Sequence, residues 1–273
     1  MRRATKVGKT LLHEFLMKSV ARGSEGIDTV RPRDDVTVLM YFFWNAEDAD
    51  QRWPSFEGAL LETWRNCGRL KTAIVTNSNH RCVIDFAGRF DNVEVQVESR
   101  LIPGKLESMS IDCLGRLHTR FATPHVLIVQ DDGFPLRRGL DEFVGKYDYV
   151  GAPWVHHNTY YDLYPYRYCV GNGGFSLRSR RICEAASRYY QKFFKWMPYW
   201  WYLLGDDTFY CKTLRFWFPS FRRQFVWASA KTASKFSVEC NVDFLAEGDT
   251  PIGFHGKEGW RRICAMVDLR RTI

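Results

Sequence analysis

The stretch HVLIVQDDGFPL, residues 125–136, decides how this chain is read. Val126 to Val129 form a short apolar run bounded by turn residues. Such a run reads as a strand buried on both faces of a sheet. It ends in two adjacent carboxylates, Asp131 and Asp132, followed by Gly133 and then Phe134-Pro135. Acids at the carboxyl end of a strand lie where open α/β sheets bind ligands. Hard oxygen donors at that edge suit a divalent cation bridging to a diphosphate. An acidic turn with no ligand has the same composition, because Asp and Gly are ordinary turn residues. The stretch therefore needs support from the rest of the chain.

Working outward, strands and helices alternate. VTVLMYFFWN (36–45) predicts a first strand and residues 56–67 a helix. LKTAIVTNS (70–78) predicts a second strand, with a helix to Gly88, and VEVQVES (93–99) a third. Residues 106–121 predict the helix that leads into 125–129. This alternation predicts right-handed βαβ units and a mainly parallel sheet. No GxGxxG follows the first strand, so a dinucleotide Rossmann site lacks support. The second half is less regular. YDYVGAPW (147–154) predicts a short strand into a turn, and VGNGGFSLRSRR (170–181) a Gly-rich loop entering a strand or helix. LGDDTFYCKTL (204–214) predicts a helix starting at its acids, and PIGFHGKEGW (251–260) a Gly-rich segment with one His. No linker or repeat interrupts the pattern. The expectation is an α/β fold in one domain over residues 34–273, a mainly parallel central sheet flanked by helices, after a basic extension over 1–33.

Composition sets outer bounds. The chain has 273 residues and is 45% hydrophobic, enough for a sizeable core. A net charge of +8 favours anionic partners. No DNA- or RNA-binding signature is present, and nucleic acid is not an expected partner. The eight cysteines form no CxxC pair and no zinc spacing, which reads as reduced thiols in a cytoplasmic compartment. No apolar run reaches the roughly 20 residues that span a bilayer. In LLHEFLMKSV (11–20), Leu12, Phe15, Leu16 and Val20 recur at helical spacing beside Arg2, Arg3, Lys6, Lys9 and Lys18. Three fates fit: a helix peripheral to a membrane, a helix docked on the domain, or a disordered tail. Trp196, Tyr199, Trp200, Trp201 and Tyr202 read either as a platform for a sugar or lipid headgroup or as buried packing.

Four polar clusters sit in apolar surroundings: Asp131-Asp132, Asn172-Gly173-Gly174, Asp206-Asp207 and His255. In this order they resemble glycosyltransferases of the GT-A fold. The chain is more closely similar to an uncharacterised-domain family of bacterial and fungal glycosyltransferase-like proteins. Typical members show a strand ending Gln-Thr-Asp, a YIGAPW-like block, NGGFSLR, Glu-Asp-Val-Phe-Phe and GFH. This chain has VQDD (129–132), YVGAPW (149–154), GNGGFSLRSR (171–180), GDDTFYC (205–211) and IGFHG (252–256). Two departures stand out. Asp132 takes the family's acid position after Asp131, and Asp206 replaces a Glu, one methylene shorter in reach.

The resemblance implies a GT-A-like, metal-dependent glycosyltransferase. It would move a sugar from a nucleotide-diphosphate sugar to a glycan or lipid-linked hydroxyl, with inversion. Asp132 and His255 would hold Mn2+ or Mg2+, imidazole suiting Mn2+ better. Asp131 would contact the ribose, or the metal through water. Thr76 and Asn77 would face base and ribose. Asn172, Gly173, Gly174 and Trp154 would line the sugar and acceptor sites. Asp207, with Asp206 beside it, would be the catalytic base. Each cluster also has a plain reading: a structural His, a tight turn, an acidic helix start. Arg178 and Arg180 read as a solvated face. Two other functions stay open. A nucleotidyltransferase needs a basic Gly-rich loop after its first strand, where Asn45-Ala46-Glu47-Asp48 stands instead. A non-catalytic carbohydrate-binding or scaffold protein would keep the fold without the chemistry.

Overall fold

The first strand, β1 (Val36–Phe42), is buried along its whole length. Its side chains alternate between two apolar layers, as the period of a strand dictates. Val38, Met40 and Phe42 pack with Trp53, Phe56, Leu60 and Trp64 on one face. Leu39, Tyr41 and Phe43 pack with Cys113, Leu114 and Ile182 on the other. This is a computed structural model, and it describes residues 2–31, 33–154, 170–197, 205–240, 242–246 and 248–266, with side chains from residue 11 onward.

Around β1 lie β2 (Lys71–Thr76), β3 (Val93–Val97), β4 (His125–Ile128), β5 (Tyr149–Gly151) and β6 (Ser176–Ser179). The sheet order is β3-β2-β1-β4-β6-β5. β1, β2, β3 and β4 run parallel, while β6 pairs antiparallel with both β4 and β5. The architecture is thus α/β, with a mostly parallel six-stranded sheet between helix layers. Strand order reverses between β1 and β4, so the loops leaving their carboxyl ends diverge and open a crevice. Because β6 is antiparallel, its entry loop arrives at that same edge.

The helices are α1 (Arg2–Arg22), α2 (Ala46–Cys67), α3 (Arg81–Ala87), α4 (Leu106–Arg116) and α5 (Arg180–Tyr189). A helical run over 206–217, α6, starts at Asp206–Thr208, widens into a π-helix over Phe209–Leu214 and closes at Arg215–Trp217. α7 (Ala230–Phe236) and α8 (Gly256–Met266) follow. Two short strands, β7 (Ser237–Val238) and β8 (Gly253–Phe254), pair in parallel beside the main sheet.

Two expectations change. The helix predicted from residue 56 begins ten residues earlier, at Ala46. The helix runs through Pro54. A proline inside a helix costs about 3 kcal/mol, and burial of Ala49 and Trp53 ahead of it offsets that. Of the three fates open to the basic extension, docking on the domain is the one the structure has. Leu12 and Leu16 of α1 are buried, Phe15 packs its ring on Phe134 and Trp260, and the Leu16 backbone lies against Gly58 of α2. Arg65 fixes the end of α1 through the Ser19 and Gly23 carbonyls at 3.0 and 2.6 Å. The apolar face that a membrane-bound α1 would use is spent on the core. No helix among the described residues is long and apolar enough to cross a membrane.

Candidate active site

The site grows from the end of β4. Val129 still pairs with β1 through Leu39. Gln130 and Gly133 then exchange two backbone hydrogen bonds, 2.9 and 3.1 Å, which closes a tight turn with Asp131 and Asp132 at its tip. After the turn, Leu136 N–H donates to the Ile252 carbonyl at 2.7 Å. That pairing sets the 252–256 segment against the acidic turn, and Gly256 N–H donates to the Asp132 carbonyl at 2.7 Å. His255 Nε2 consequently stands 3.9 Å from Asp132 Oδ1 and 3.2 Å from Gln130 Oε1.

The register of β7 and β8 brings a further residue. Val238 lies opposite Phe254, so Glu239 lies opposite His255. Its carboxylate is 3.3 Å from His255 Nδ1. Burial by itself lowers the imidazole's proton affinity, but Glu239 and Asp132 outweigh it, and the pKa is raised. Nδ1 faces the Glu239 carboxylate and Nε2 faces Gln130 Oε1, both acceptors for whichever ring nitrogen carries a proton.

Gly173 and Gly174 enter from the antiparallel strand. Ser176 of β6 pairs with Ile128 of β4, so the preceding glycines fall beside the acidic turn. A Cβ at Gly174 would overlap the His255 ring and come within 2.7 Å of Gln130 Oε1. A Cβ at Gly133 would meet the same ring at 2.8 Å. Only glycine lets these backbones close on His255.

Asp206 and Asp207 open α6 after Gly205, whose φ of 137° favours glycine. Asp206 turns inward to Arg178, with Nη1 and Oδ2 2.6 Å apart. Arg178 is wholly buried, and its guanidinium lies 5.0 Å from each of the Tyr149 and Tyr210 ring centres. Asp207 turns to the cleft. It accepts hydrogen bonds from Gly173 N–H at 3.0 Å and Thr208 N–H at 2.7 Å. Burial, then the neighbouring Asp206, push its carboxyl pKa up to about 7. Burial and Asp132 push Asp131 up to about 7 as well.

The result is a cleft of about 650 Å³ at the strand-order reversal. Asp132, His255, Asn172, Gly173, Gly174 and Asp207 line it, with Tyr41 and α4 on another side. The family model described as "Protein of unknown function (DUF5672)" matches residues 111–255, just over half of the chain. The chain belongs to this family. The match runs from within α4 to His255, and Tyr41, Leu106, Glu107, Met109 and Ser110 of the cleft lining precede it.

No curated protein sequence matches the chain. Among solved structures, it is similar to the mannosyltransferase PcManGT from Pyrobaculum calidifontis in complex with GDP-Man and Mn2+. The identity is 14%, over 67% of this chain and 55% of that one, with a TM-score of 0.37. It is also similar to the apo form of the glycosyltransferase GlyE of Streptococcus pneumoniae TIGR4. Here the identity is 11%, over 81% of this chain and 54% of the other, with a TM-score of 0.48. The chain spans about half the length of these solved structures. At such identities the likeness is one of chain path alone.

Within this DUF5672 chain, not every candidate reaches the cleft. Asp131 is half-buried and does not line the cleft; burial and then Asp132 raise its pKa, and Arg52 and His255 lower it. Thr76 and Asn77 stay in their own loop, bonded to the Ser78 and Trp44 carbonyls at 3.1 Å each. Trp154 is buried against Gly171 and lies under the Lys212 ammonium at 4.6 Å. Arg178, read as solvated, is the buried counter-ion of Asp206. Arg180 does reach the surface, with Glu184 at 2.9 Å. Trp196 is exposed, and Tyr199, Trp200, Trp201 and Tyr202 lie outside the described residues. Gln130 and Glu239 were not foreseen. Gln130 stood in the quoted motif, whereas Glu239 carries no sequence signal.

The fit to a metal ion is partial. Among the described residues, no three His, Cys, Asp or Glu side chains group to enclose one. The chain offers two donors, Asp132 Oδ1 and His255 Nε2, facing one cleft. That oxygen–nitrogen pair suits Mn2+. Cations of this class commonly take their remaining ligands from substrate phosphates and water.

Proposed function

We propose that this chain is a metal-dependent, inverting glycosyltransferase that uses a nucleotide-diphosphate sugar. One observation carries the reading. A cation-type pair, Asp132 with His255, and a proton-accepting carboxylate, Asp207, converge from separate elements on one cleft at the sheet's switch point. Ligands of open α/β sheets bind at such points. Asp132 and His255 would hold Mn2+ or Mg2+, which when bound neutralises the charge of a departing diphosphate. Glu239 orients the imidazole by holding Nδ1, so that Nε2 would serve the cation once it gives up Gln130 Oε1. Asn172, Gly173 and Gly174 would border the sugar as part of the cleft lining, the missing Cβ atoms of the two glycines making room for His255, Arg178 and Asp207. Asp207 takes the proton of the acceptor hydroxyl as that oxygen attacks the anomeric carbon. Its pKa of about 7 suits a base working near neutrality. Asp206, paired with Arg178, serves as its neighbour and not as a second base. A nucleotide base and ribose would lie toward Trp44 and Asp131, with Thr76 and Asn77 supporting that loop. The acceptor is a glycan or lipid-linked hydroxyl.

A thermal-shift series of nucleoside diphosphates, with and without Mn2+, tests the donor site. A ligand at about 100 times its Kd adds about 2.7 kcal/mol of stability. A positive hit leads to transfer assays with the matching nucleotide sugar and product NMR for anomeric configuration. No Mn2+-dependent stabilisation by any nucleoside diphosphate would overturn the reading.

A further inference from the structure

Large apolar side chains are exposed on two neighbouring segments, residues 102–111 and 193–197. Ile102, Leu106, Ile111, Phe193, Trp196 and Met197 are six of the twelve exposed large apolar side chains among the described residues. Trp196 is 84% exposed and Leu106 64%. The two segments that carry them are packed together. Ser187 Oγ donates to the Gly115 carbonyl at 2.7 Å, and a Cβ at Gly115 would stand 3.3 Å from Gln191 Nε2. Between them lies a hollow of about 510 Å³ with Leu101 and Tyr190 in its wall and Ile102 and Ile111 beside them.

Cations are interleaved with this apolar surface. Lys105 and Lys195 stand at the hollow, and the Lys192 and Lys195 ammonium groups lie 5.1 and 5.2 Å over the Phe193 and Trp196 rings. Below them, Arg100, Arg116 and Arg120 gather on two carboxylates, Glu98 and Asp112, which leaves one positive charge in surplus. Glu107 offsets part of the total. An exposed apolar patch of this kind marks an interaction site. The composition decides the partner. Aromatic residues and Met suit a protein or a membrane partner, but lysine is depleted at protein–protein interfaces, and tryptophan interleaved with lysine suits the water–membrane boundary.

We propose that this face docks on an anionic phospholipid bilayer. Trp196, Phe193 and Leu106 enter the headgroup layer, while Lys105, Lys192 and Lys195 meet the phosphates. α1 cannot take this part, since Leu12 and Leu16 are buried. Leu106 and Glu107 also border the cleft, so docking sets the cleft mouth near the lipid headgroups. The inference does not depend on the proposed chemistry.

The test is co-sedimentation of the full chain with phosphatidylcholine–phosphatidylserine vesicles and with phosphatidylcholine alone. Wild type should prefer the anionic vesicles. Lys192→Glu with Lys195→Glu should weaken that binding on the order of tenfold or more, from the usual contribution of each basic residue at an anionic surface. Trp196→Ser should weaken it too, which non-specific charge attraction would not predict. All three positions are exposed, so unchanged melting of the variants shows the fold intact. Equal sedimentation with both vesicle types, or wild-type binding by either variant, overturns the proposal. So does a solution dimer that Trp196→Ser dissociates, because the face would then belong to a second copy.

Discussion

Gly174→Ala perturbs the cleft at its tightest point. Gly174 does not have a positive φ, so alanine fits the backbone and the whole effect is steric. The new methyl would overlap the His255 ring and stand 2.7 Å from Gln130 Oε1. Carbon contacts settle at about 3.5–4.0 Å, so the imidazole must retreat by about 1 Å or more. Retreat is hindered, because Gly133 closes on the same ring and Glu239 holds its Nδ1. Overpacking of this kind costs about 1–3 kcal/mol. At roughly 2–4 °C per kcal/mol in a chain of this size, melting should fall by several degrees. The functional loss should be larger. A shift of about 1 Å parts Nε2 from Asp132, and Mn2+-dependent nucleoside diphosphate affinity should drop tenfold or more, by analogy with disturbed ligand-orienting contacts. Scanning calorimetry reads the first effect and titration calorimetry the second. Gly145→Ala is the control: its Cβ meets nothing within 4 Å, so only local strain at φ 77° is expected. Wild-type nucleotide affinity in Gly174→Ala would show that His255 takes no part in the site.

The remaining predictions separate the roles of the acids and the place of α1. Asp132→Asn should abolish Mn2+-dependent nucleotide binding, measured by titration calorimetry, and unchanged affinity would remove Asp132 from the site. Asp207→Asn should keep that binding and lose about 10²–10⁴-fold in kcat, the usual contribution of a general base; near-normal turnover would leave Asp207 an acceptor-positioning group. Because the Asp207 pKa is raised from 3.8 to about 7, the carboxylate is neutral below that point, so kcat should rise with pH up to about 7 and then level off. Leu16→Ala should cost about 2–5 kcal/mol in denaturant unfolding as a buried large-to-small change; unaltered stability would detach α1 from the core.

The sheet was legible because its strands are short apolar runs and helices fill the gaps between them. The acids at the end of β4 could be placed for the same reason: a strand's carboxyl end is a position that sequence order defines. What escaped the sequence was long-range pairing. Arg178 looks solvated in SLRSR, and its burial depends on Asp206, far along the chain, and on Tyr149 and Tyr210 from two further elements. Glu239 reaches His255 only through the pairing of β7 with β8, strands of two residues that leave no periodic trace. The first turns of α2 were hidden by Pro54. α1 had three open fates, and contact with Gly58, not its own pattern, selects docking.

The two acid pairs show why adjacent carboxylates need not share a role. Two like charges side by side raise each other's proton affinity, and burial adds to this. In each pair the raised carboxyl is a different kind of residue. At the end of β4 it is Asp131, outside the cleft, while Asp132 faces the cleft beside His255. At the start of α6 it is Asp207, inside the cleft, while Asp206 is bound to Arg178. A cation needs a facing carboxylate that is free of a proton, and a base needs a proton affinity near neutrality. The turn at Asp132 answers the first by geometry, setting Oδ1 at the cleft 3.9 Å from His255 Nε2 while Asp131 stands outside the lining. Burial, and after it the neighbouring Asp206, supply the second, while Arg178 on the far side of Asp206 works the other way. The same reasoning makes Asp206→Asn informative. Removing that charge should move the kcat–pH profile to lower pH while leaving nucleotide binding unchanged. A profile that stays in place would show that Asp206 does not tune Asp207.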